Sequence, residues 1–353
     1  MRAVQCIDRG PPVRLAADDI PRPKLPERHL RVAVHYCGLG IPDLLIMTGK
    51  YQIRPQLPFV PGSEVSGVVT EVGPGVERFH VGARVAGLNY TFVGGLAEEI
   101  VMPAAAAVVL PPSLSMRSAA GMLLNYATSN YALKDRGRLR AGERVLVLGA
   151  AGGVGLAAIE IAKAQGAWVL AAASSEAKLA LARLHGADEG LNYAGASIKD
   201  ELKRRGGFDV VVDPVGGVYS EQALRALRPG GRLLVIGFAA GEIPRIALNL
   251  PLLKDCSIIG AFLMTQMRCD PARFVANVRG VFALHAQGRL APAITELDCF
   301  GDYGTALQRI GDRHAVGKVV LRVARQAEER RTDALRSVSA DDSTVEAYEH
   351  ALF

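Results

Sequence analysis

Cysteine pairs, long apolar runs and clustered basic residues are all missing from this chain, and each absence closes off a class of protein. The five cysteines (Cys6, Cys37, Cys256, Cys269, Cys299) are scattered, odd in number and without metal-ligand spacing. A disulfide framework and a cysteine-based zinc lobe are therefore unsupported, and a reduced, cytoplasmic protein is expected. No uncharged apolar stretch reaches the roughly 18 residues that a membrane span needs. The opening MRAVQCIDRG carries Asp8 and Arg9 where a signal peptide would have an apolar core, so no secretion signal is read. Aromatics are only 6% and the basic residues are spread along the chain, so the net charge of +6 does not mark a nucleic-acid surface. The densest basic stretch, LKDRGRLRAGER, reads as a solvated connection. An anionic cofactor would also use part of the charge.

What is present indicates a soluble, globular chain of two domains. Of the 353 residues half are hydrophobic and 22% are charged, a length beyond the comfortable size of one core. Up to about residue 125 short β-branched runs (LRVAVHYCG, SGVVTEVG, ARVAGL) alternate with turn signals such as GPGVERFHVG, which predicts a compact all-β domain. After residue 140 the period changes: RVLVLG reads as a buried strand, WVLAAA as a second, and EGLNY, FDVVVD, GRLLVIG and CSIIGAF continue the strands, with helical segments between most of them. Near-continuous apolar strands alternating with helices predict a parallel, doubly wound sheet. PARFVANVRGVFALHAQG then predicts a helix and GKVVLRV a closing strand that returns to the first domain. The expected division is 1–125 with 265–323, an intervening 126–264, and a tail from 324 to 353 with four arginines against seven acidic residues.

The stretch VLVLGAAGGVGLAAIEIAKAQG places Gly149, Gly152, Gly153, Val154 and Gly155 directly after a strand and at the opening of a helix. The first glycine permits a tight turn, the second lets backbone N–H groups approach a pyrophosphate, and the last lets helix and strand pack closely. A dinucleotide site selective for NAD carries an acid at the end of the next strand, where this chain has Ala173 followed by Ser174, Ser175 and Lys178. Two hydroxyls and an ammonium suit a 2′-phosphate, so the expected cofactor is NADPH. One of the serines can also cap the following helix, and the two roles are compatible.

These residues, with FDVVVDPVGG, GRLLVIGFAAGEIPRIALNLPLLK and LPFVPGSEVSGVVTEVGPGV, resemble the zinc-independent quinone oxidoreductases (zeta-crystallin-like) of the medium-chain dehydrogenase/reductase superfamily over about residues 1–323. The resemblance implies an α/β fold in which a GroES-like, β-rich catalytic domain accompanies a Rossmann domain, an NADPH cleft between them, and a homodimer joined through the Rossmann sheets. In zinc-dependent relatives a cysteine stands at the position of Gly40 in CGLGIPD and a histidine at that of Ser63 in PGSE, which leaves Glu64 as a structural carboxylate and implies a metal-free enzyme.

Tyr51 in TGKYQIRP matches a tyrosine that faces the substrate in related reductases, either as proton donor or as pocket wall. The same resemblance places Thr128 near the nicotinamide, Tyr193 beside the 2′-phosphate and Arg313 within reach of the cofactor. It expects backbone contacts from Gly237, Phe238 and Ala239 and from Phe262, Leu263 and Met264. Gly40, Ile41, Tyr90, Asn125 and Asn130 are expected around the substrate. Two positions depart from the family pattern, Gly40 where asparagine is frequent and Asn130 where tyrosine is, which points to a reshaped pocket. Reduction of a quinone or an α,β-unsaturated carbonyl compound is the leading expectation. A 2-enoyl thioester reductase, with Lys50 and Arg54 meeting the anionic tail, and an NADPH-binding structural or RNA-binding protein are the alternatives. Nucleic-acid and membrane partners are not expected.

Overall fold

The β-branched runs of the first third form strands, and the strands close on each other before any parallel unit begins. The structure, a computed structural model, describes residues 1–10, 13–194, 198–312 and 316–324. In chain order its first elements are β1 (Arg2–Asp8), β2 (Arg14–Asp19), β3 (His29–Leu39), α1 (Ile41–Met47), β4 (Glu64–Val72), β5 (Arg84–Leu88), β6 (Glu99–Pro103), β7 (Ala107–Val109) and α2 (Met116–Asn130). β1 and β2 make a separate hairpin. The other strands belong to a seven-stranded sheet whose centre is β3, paired with β4 on one side and with β6 at its opening end.

An all-β first domain is corrected by α1. Pro42 is pre-set for the first helical turn, and the Asp43 carboxylate turns back to accept the Gly40 N–H at 2.8 Å, so the helix begins where the pattern suggested a loop. α2 runs unbroken through residues 125 and 126, where the sequence suggested a division. It packs on β4, β5 and the strand Lys318–Arg322 on one side and on the helix Gly153–Ala164 on the other, and it runs on into a wider π-type turn over Tyr131–Arg136.

The parallel unit follows as β8 (Arg144–Leu148), α3 (Gly153–Ala164), β9 (Trp168–Ala173), α4 (Glu176–Leu184), β10 (Glu189–Asn192), α5 (Ile198–Arg204), β11 (Phe208–Asp213), α6 (Val218–Arg225), β12 (Leu227–Val235), α7 (Asn249–Lys254) and β13 (Ser257–Gly260). The sheet order is β10-β9-β8-β11-β12-β13, all parallel. The order reverses between β8 and β11, and ligands of such sheets bind outside the strand ends at that reversal. β8 and β11 are buried along nearly their whole length, as a sheet covered by helices on both faces requires.

The chain then forms α8 (Leu263–Cys269), α9 (Pro271–Ala286), β14 (Ile294–Asp298), α10 (Tyr303–Gly311) and β15 (Lys318–Arg322). The last two strands return to the first sheet, with Leu321 opposite Cys37 in the antiparallel pairing of β15 with β3. Arg313 and the tail from 325 onward lie outside the described residues.

Candidate active site

The glycine turn lies at the C-terminal end of β8, beside the reversal point. Gly149 has φ +59°, left-handed backbone that a side chain rarely adopts, and a Cβ there would also stand 2.8 Å from Val215 Cγ2. Gly152 is the extended N-cap of α3, and its N–H closes the turn on the Gly149 carbonyl at 3.0 Å. A Cβ on Gly155 would fall 2.3 Å from the Gly149 oxygen, and one on Gly153 would fall 2.0 Å from Asn125 Nδ2. The first-turn N–H groups at Gly153, Val154 and Gly155 have no carbonyl within their own helix to receive them, so the turn presents donors and the positive end of α3 to an anion.

At the end of β9, Ala173 receives the Tyr193 N–H at 3.0 Å, which brings the two strand ends together. Ser175 caps α4, accepting the Lys178 N–H at 3.3 Å, while the Lys178 ammonium reaches Ser174 Oγ at 3.2 Å. The nearest carboxylate in sequence, Glu176, is exposed and approaches Arg183 at 3.8 Å. The Tyr193 ring packs on Tyr219 with centroids 4.8 Å apart.

Across the reversal, Asp213 ends β11 and orders the following loop. Its carboxylate accepts the Val215 and Gly216 N–H groups, both at 2.9 Å, and the Ser220 hydroxyl at 2.5 Å. The Gly237 and Ala239 N–H groups bond back to Asp213 and Pro214 carbonyls at 3.4 and 3.1 Å, so these two donors are committed within the protein. Phe238 and Phe262 are exposed (40% and 53%), whereas Leu263 and Met264 turn their side chains into the core.

The other wall comes from the seven-stranded sheet. The half-buried Tyr51 ring meets Phe92 at 5.8 Å between centroids, and Phe92 is itself held at φ +59°. Burial pushes the Tyr51 hydroxyl above its ordinary range, the buried Asp43 carboxylate pushes it the same way, and Arg268 of α8 pulls it back. Tyr51 therefore lies within electrostatic reach of α8. Gly40 and the exposed Ile41 open α1 at the same wall, and the Tyr90 hydroxyl is buried without a hydrogen-bond partner.

Asn125 and Asn130, both expected around the substrate, have different surroundings. Asn125 abuts the glycine turn at Gly153. Asn130, expected around the substrate, is buried and donates to Asn277 Oδ1 at 2.8 Å, in a chain that continues from Asn277 to Gln266 at 3.0 Å. Its amide holds α2 to α9 because a buried amide must find partners. Thr128 is buried on the same helix, one residue before Ser129, whose hydroxyl donates to the Val154 carbonyl at 3.0 Å.

Sequence reasoning missed Asp43 and Lys318 altogether. Glu64, read as a lone carboxylate, is in direct ion contact with the Lys318 ammonium, and both are buried. Burial pushes the Glu64 carboxyl up, while Lys318 and the Leu124 N–H at 2.8 Å offset part of the rise. Asp43 is raised to about 6 by burial, against the pull of Lys318 and its bond from Gly40. The signals available were faint: a lysine inside an apolar strand (GKVVL) and an acid two residues after Ile41. Among the described residues, no three His, Cys, Asp or Glu side chains form a group suited to a metal ion.

Comparison with known proteins follows this division. The model of the alcohol dehydrogenase GroES-like domain matches residues 26–112, and that of the zinc-binding dehydrogenase matches residues 153–277. The chain is 37% identical over 325 residues to a quinone oxidoreductase-like protein 2 homolog of Nematostella vectensis, covering 91% of this chain and 88% of that protein. The chain belongs to the quinone oxidoreductase family of the medium-chain dehydrogenases/reductases. Among solved members of the family, the Pseudomonas syringae quinone oxidoreductase superposes with a TM-score of 0.84 at 28% identity, covering 91% of this chain and 99% of the other. That of Thermus thermophilus, whose structures include its complex with NADPH, gives 0.76 at 34% identity, covering 92% and 100%. As a quinone oxidoreductase family member the chain is an oxidoreductase that joins a GroES-like domain to a Rossmann-like parallel sheet.

Proposed function

We propose that the chain binds NADPH along the strand ends at β8, β9 and β11 and delivers its hydride to a quinone or an α,β-unsaturated carbonyl compound without a metal. The observation that carries the reading is the pair of neighbouring cradles. Glycines that no side chain could replace face the first, and Ser174, Ser175 and Lys178 stand at the second, where a carboxylate would select NAD. The donor set fits the group: N–H groups at Gly153 to Gly155 for a pyrophosphate, and an ammonium with two hydroxyls for a 2′-phosphate. The Thermus relative's complex with NADPH agrees with this choice of cofactor.

When bound, NADPH supplies the hydride. The protein's own residues supply the remainder. Tyr51, whose phenol is protonated at neutral pH at its ordinary pKa of about 10, donates a proton to the acceptor, and its ring is held against Phe92. Gly40 and Ser63 provide neither thiolate nor imidazole, so no zinc ligand set is available from those positions. A second reading, reduction of a 2-enoyl thioester, is favoured by Lys50 and Arg54, both exposed on the Tyr51 loop and available to an anionic tail.

Among the described residues the edge strand β13 has no strand partner on its outer side, with Leu248, Leu252 and Leu253 exposed nearby, which supports pairing with a second copy. Turnover assays with NADPH or NADH against quinones, enones and enoyl thioesters test the whole reading. Binding of NADPH with no turnover of any acceptor class would replace an enzyme by a nucleotide-binding protein.

A further inference from the structure

The Glu64–Lys318 ion pair is sealed from water, with 0% and 4% of the two residues exposed. Taking two charges out of water is expensive, and an apolar pair of similar volume often serves stability as well. Stability alone therefore does not account for the pair, and its covalent neighbours indicate what else it does.

Lys318 follows Gly317. The Gly317 N–H bonds the Ala151 carbonyl at 3.1 Å, and Gly317 bridges Gly152 in parallel fashion, so the strand holding Lys318 is sewn to the glycine turn one residue away. Glu64 accepts the Leu124 N–H at 2.8 Å through its other oxygen, and the next residue, Asn125, is the one packed against Gly153. Both ends of the ion pair are thus one residue from contacts to the same turn. Gly38 is the floor of the arrangement: a Cβ there would stand 2.8 Å from Lys318 Cε, 2.9 Å from Glu64 Oε2 and 2.4 Å from the Ala120 carbonyl. A direct electrostatic role toward an anionic acceptor is disfavoured, because the lone ammonium shares its surroundings with two carboxylates, Glu64 and Asp43.

We propose that Glu64 and Lys318 are a positioning pair for the nucleotide cradle. By locking β15 to β4 and α2 they hold Gly317 and Asn125 against residues 151–153, and the shape of the phosphate-binding turn depends on an ion pair that belongs to the other sheet. The consequence for affinity rests on the reading of that turn as the NADPH site; the consequence for the turn's order does not.

The test compares Lys318→Met, Glu64→Gln and the double variant Glu64→Met/Lys318→Met with the intact chain. Hydrogen–deuterium exchange of the segment 149–156 is followed without nucleotide, NADPH affinity by fluorescence titration, and thermal stability alongside. Arg232→Met serves as the control, since Arg232 pairs with Glu143 at 2.8 Å at the opposite ends of the Rossmann strands. Lys318→Met is expected to speed exchange in 149–156 and to weaken NADPH binding about tenfold, with the acceptor KM at saturating NADPH unchanged and Lys318→Arg recovering most of the loss. Arg232→Met should lower stability without either effect. If Lys318→Met does not fold, the double variant, which removes both members of the ion pair, carries the same expectation for exchange. Exchange in the turn that matches the intact chain in folded variants would overturn the proposal. Failure of the intact chain to bind NADPH would instead remove the proposed cofactor while the exchange result still decides the positioning role.

Discussion

Tyr126 donates its phenolic hydrogen to Glu160 Oε2 at 2.7 Å, joining α2, which lies on the seven-stranded sheet, to α3, which opens at the glycine turn. Glu160 is buried and also meets His185 Nδ1 at 2.5 Å and the Ala291 N–H at 3.1 Å. Tyr126→Phe keeps the ring and removes one donor to a buried carboxylate. Stability should fall by about 1.5–3 kcal/mol in denaturant titrations, with KM for both substrates unchanged. A neutral substitution would mean that water replaces the phenol at this seam.

Cofactor choice follows from charge at the end of β9. Lys178→Ala should raise KM for NADPH far more than KM for NADH, by about 1–3 kcal/mol of discrimination. Ala173→Asp, which adds a carboxylate beside Ser174, should invert the preference. Steady-state kinetics with both cofactors decide this, and equal use of NADH by the unaltered chain would contradict the reading.

Tyr51→Phe should lower turnover of enones by roughly 10²–10⁴-fold if the hydroxyl donates in the transition state. NADPH affinity should hold, since the glycine turn and Lys178 lie on the other sheet. Quinones, which can take a proton from water, should lose less. Small and equal losses for both acceptor classes would reduce Tyr51 to a pocket wall packed on Phe92.

The pH dependence of stability carries the mark of Asp43. Its carboxyl is raised from 3.8 to about 6, chiefly by burial. Between those values the native state holds a proton that the unfolded chain has released, so this contribution to stability is complete below pH 4 and is lost as pH rises to about 6. Asp43→Asn does not titrate and keeps an acceptor for the Gly40 N–H. Relative to the unaltered chain it should gain on the order of 2–3 kcal/mol across that window, measured by urea unfolding at several pH values. Parallel curves would show that Asp43 stays ionised.

Elemental analysis of the purified protein should find no stoichiometric zinc, and chelators should leave activity intact, because Gly40 and Ser63 offer no thiolate or imidazole. One tightly held zinc per chain would contradict this.

The parallel unit was legible because its signals are local. Apolar runs became strands, buried in β8 and β11 and largely exposed in β13, Ser175 became a helix cap, and the glycines fell where a strand meets a helix. α1 escaped notice because seven residues carry too little periodicity, and its start depends on Pro42 and a returning Asp43 side chain. The bond of Asn130 to Asn277 left no local sign, because the partner is 147 residues away. Lys318 drew no reading of its own within the closing strand; only the pairing of β15 with β3, itself paired with β4, encloses its ammonium with Glu64.

The bridge between Gly152 and Gly317 also bears on the order in which the chain can fold during synthesis. All six parallel strands lie within residues 144–260, so that sheet has every strand in hand while the ribosome is still adding α9. The seven-stranded sheet has β3 ready from residue 39 but waits for β15, ending at 322, to cover that strand's far end. Closing so long a loop costs entropy that only the last strand's contacts offset. A nascent chain arrested before β15 is therefore expected to resist protease within 144–260 and to be cut around Gly38 and Gly40, leaving the nucleotide turn built but without its second wall.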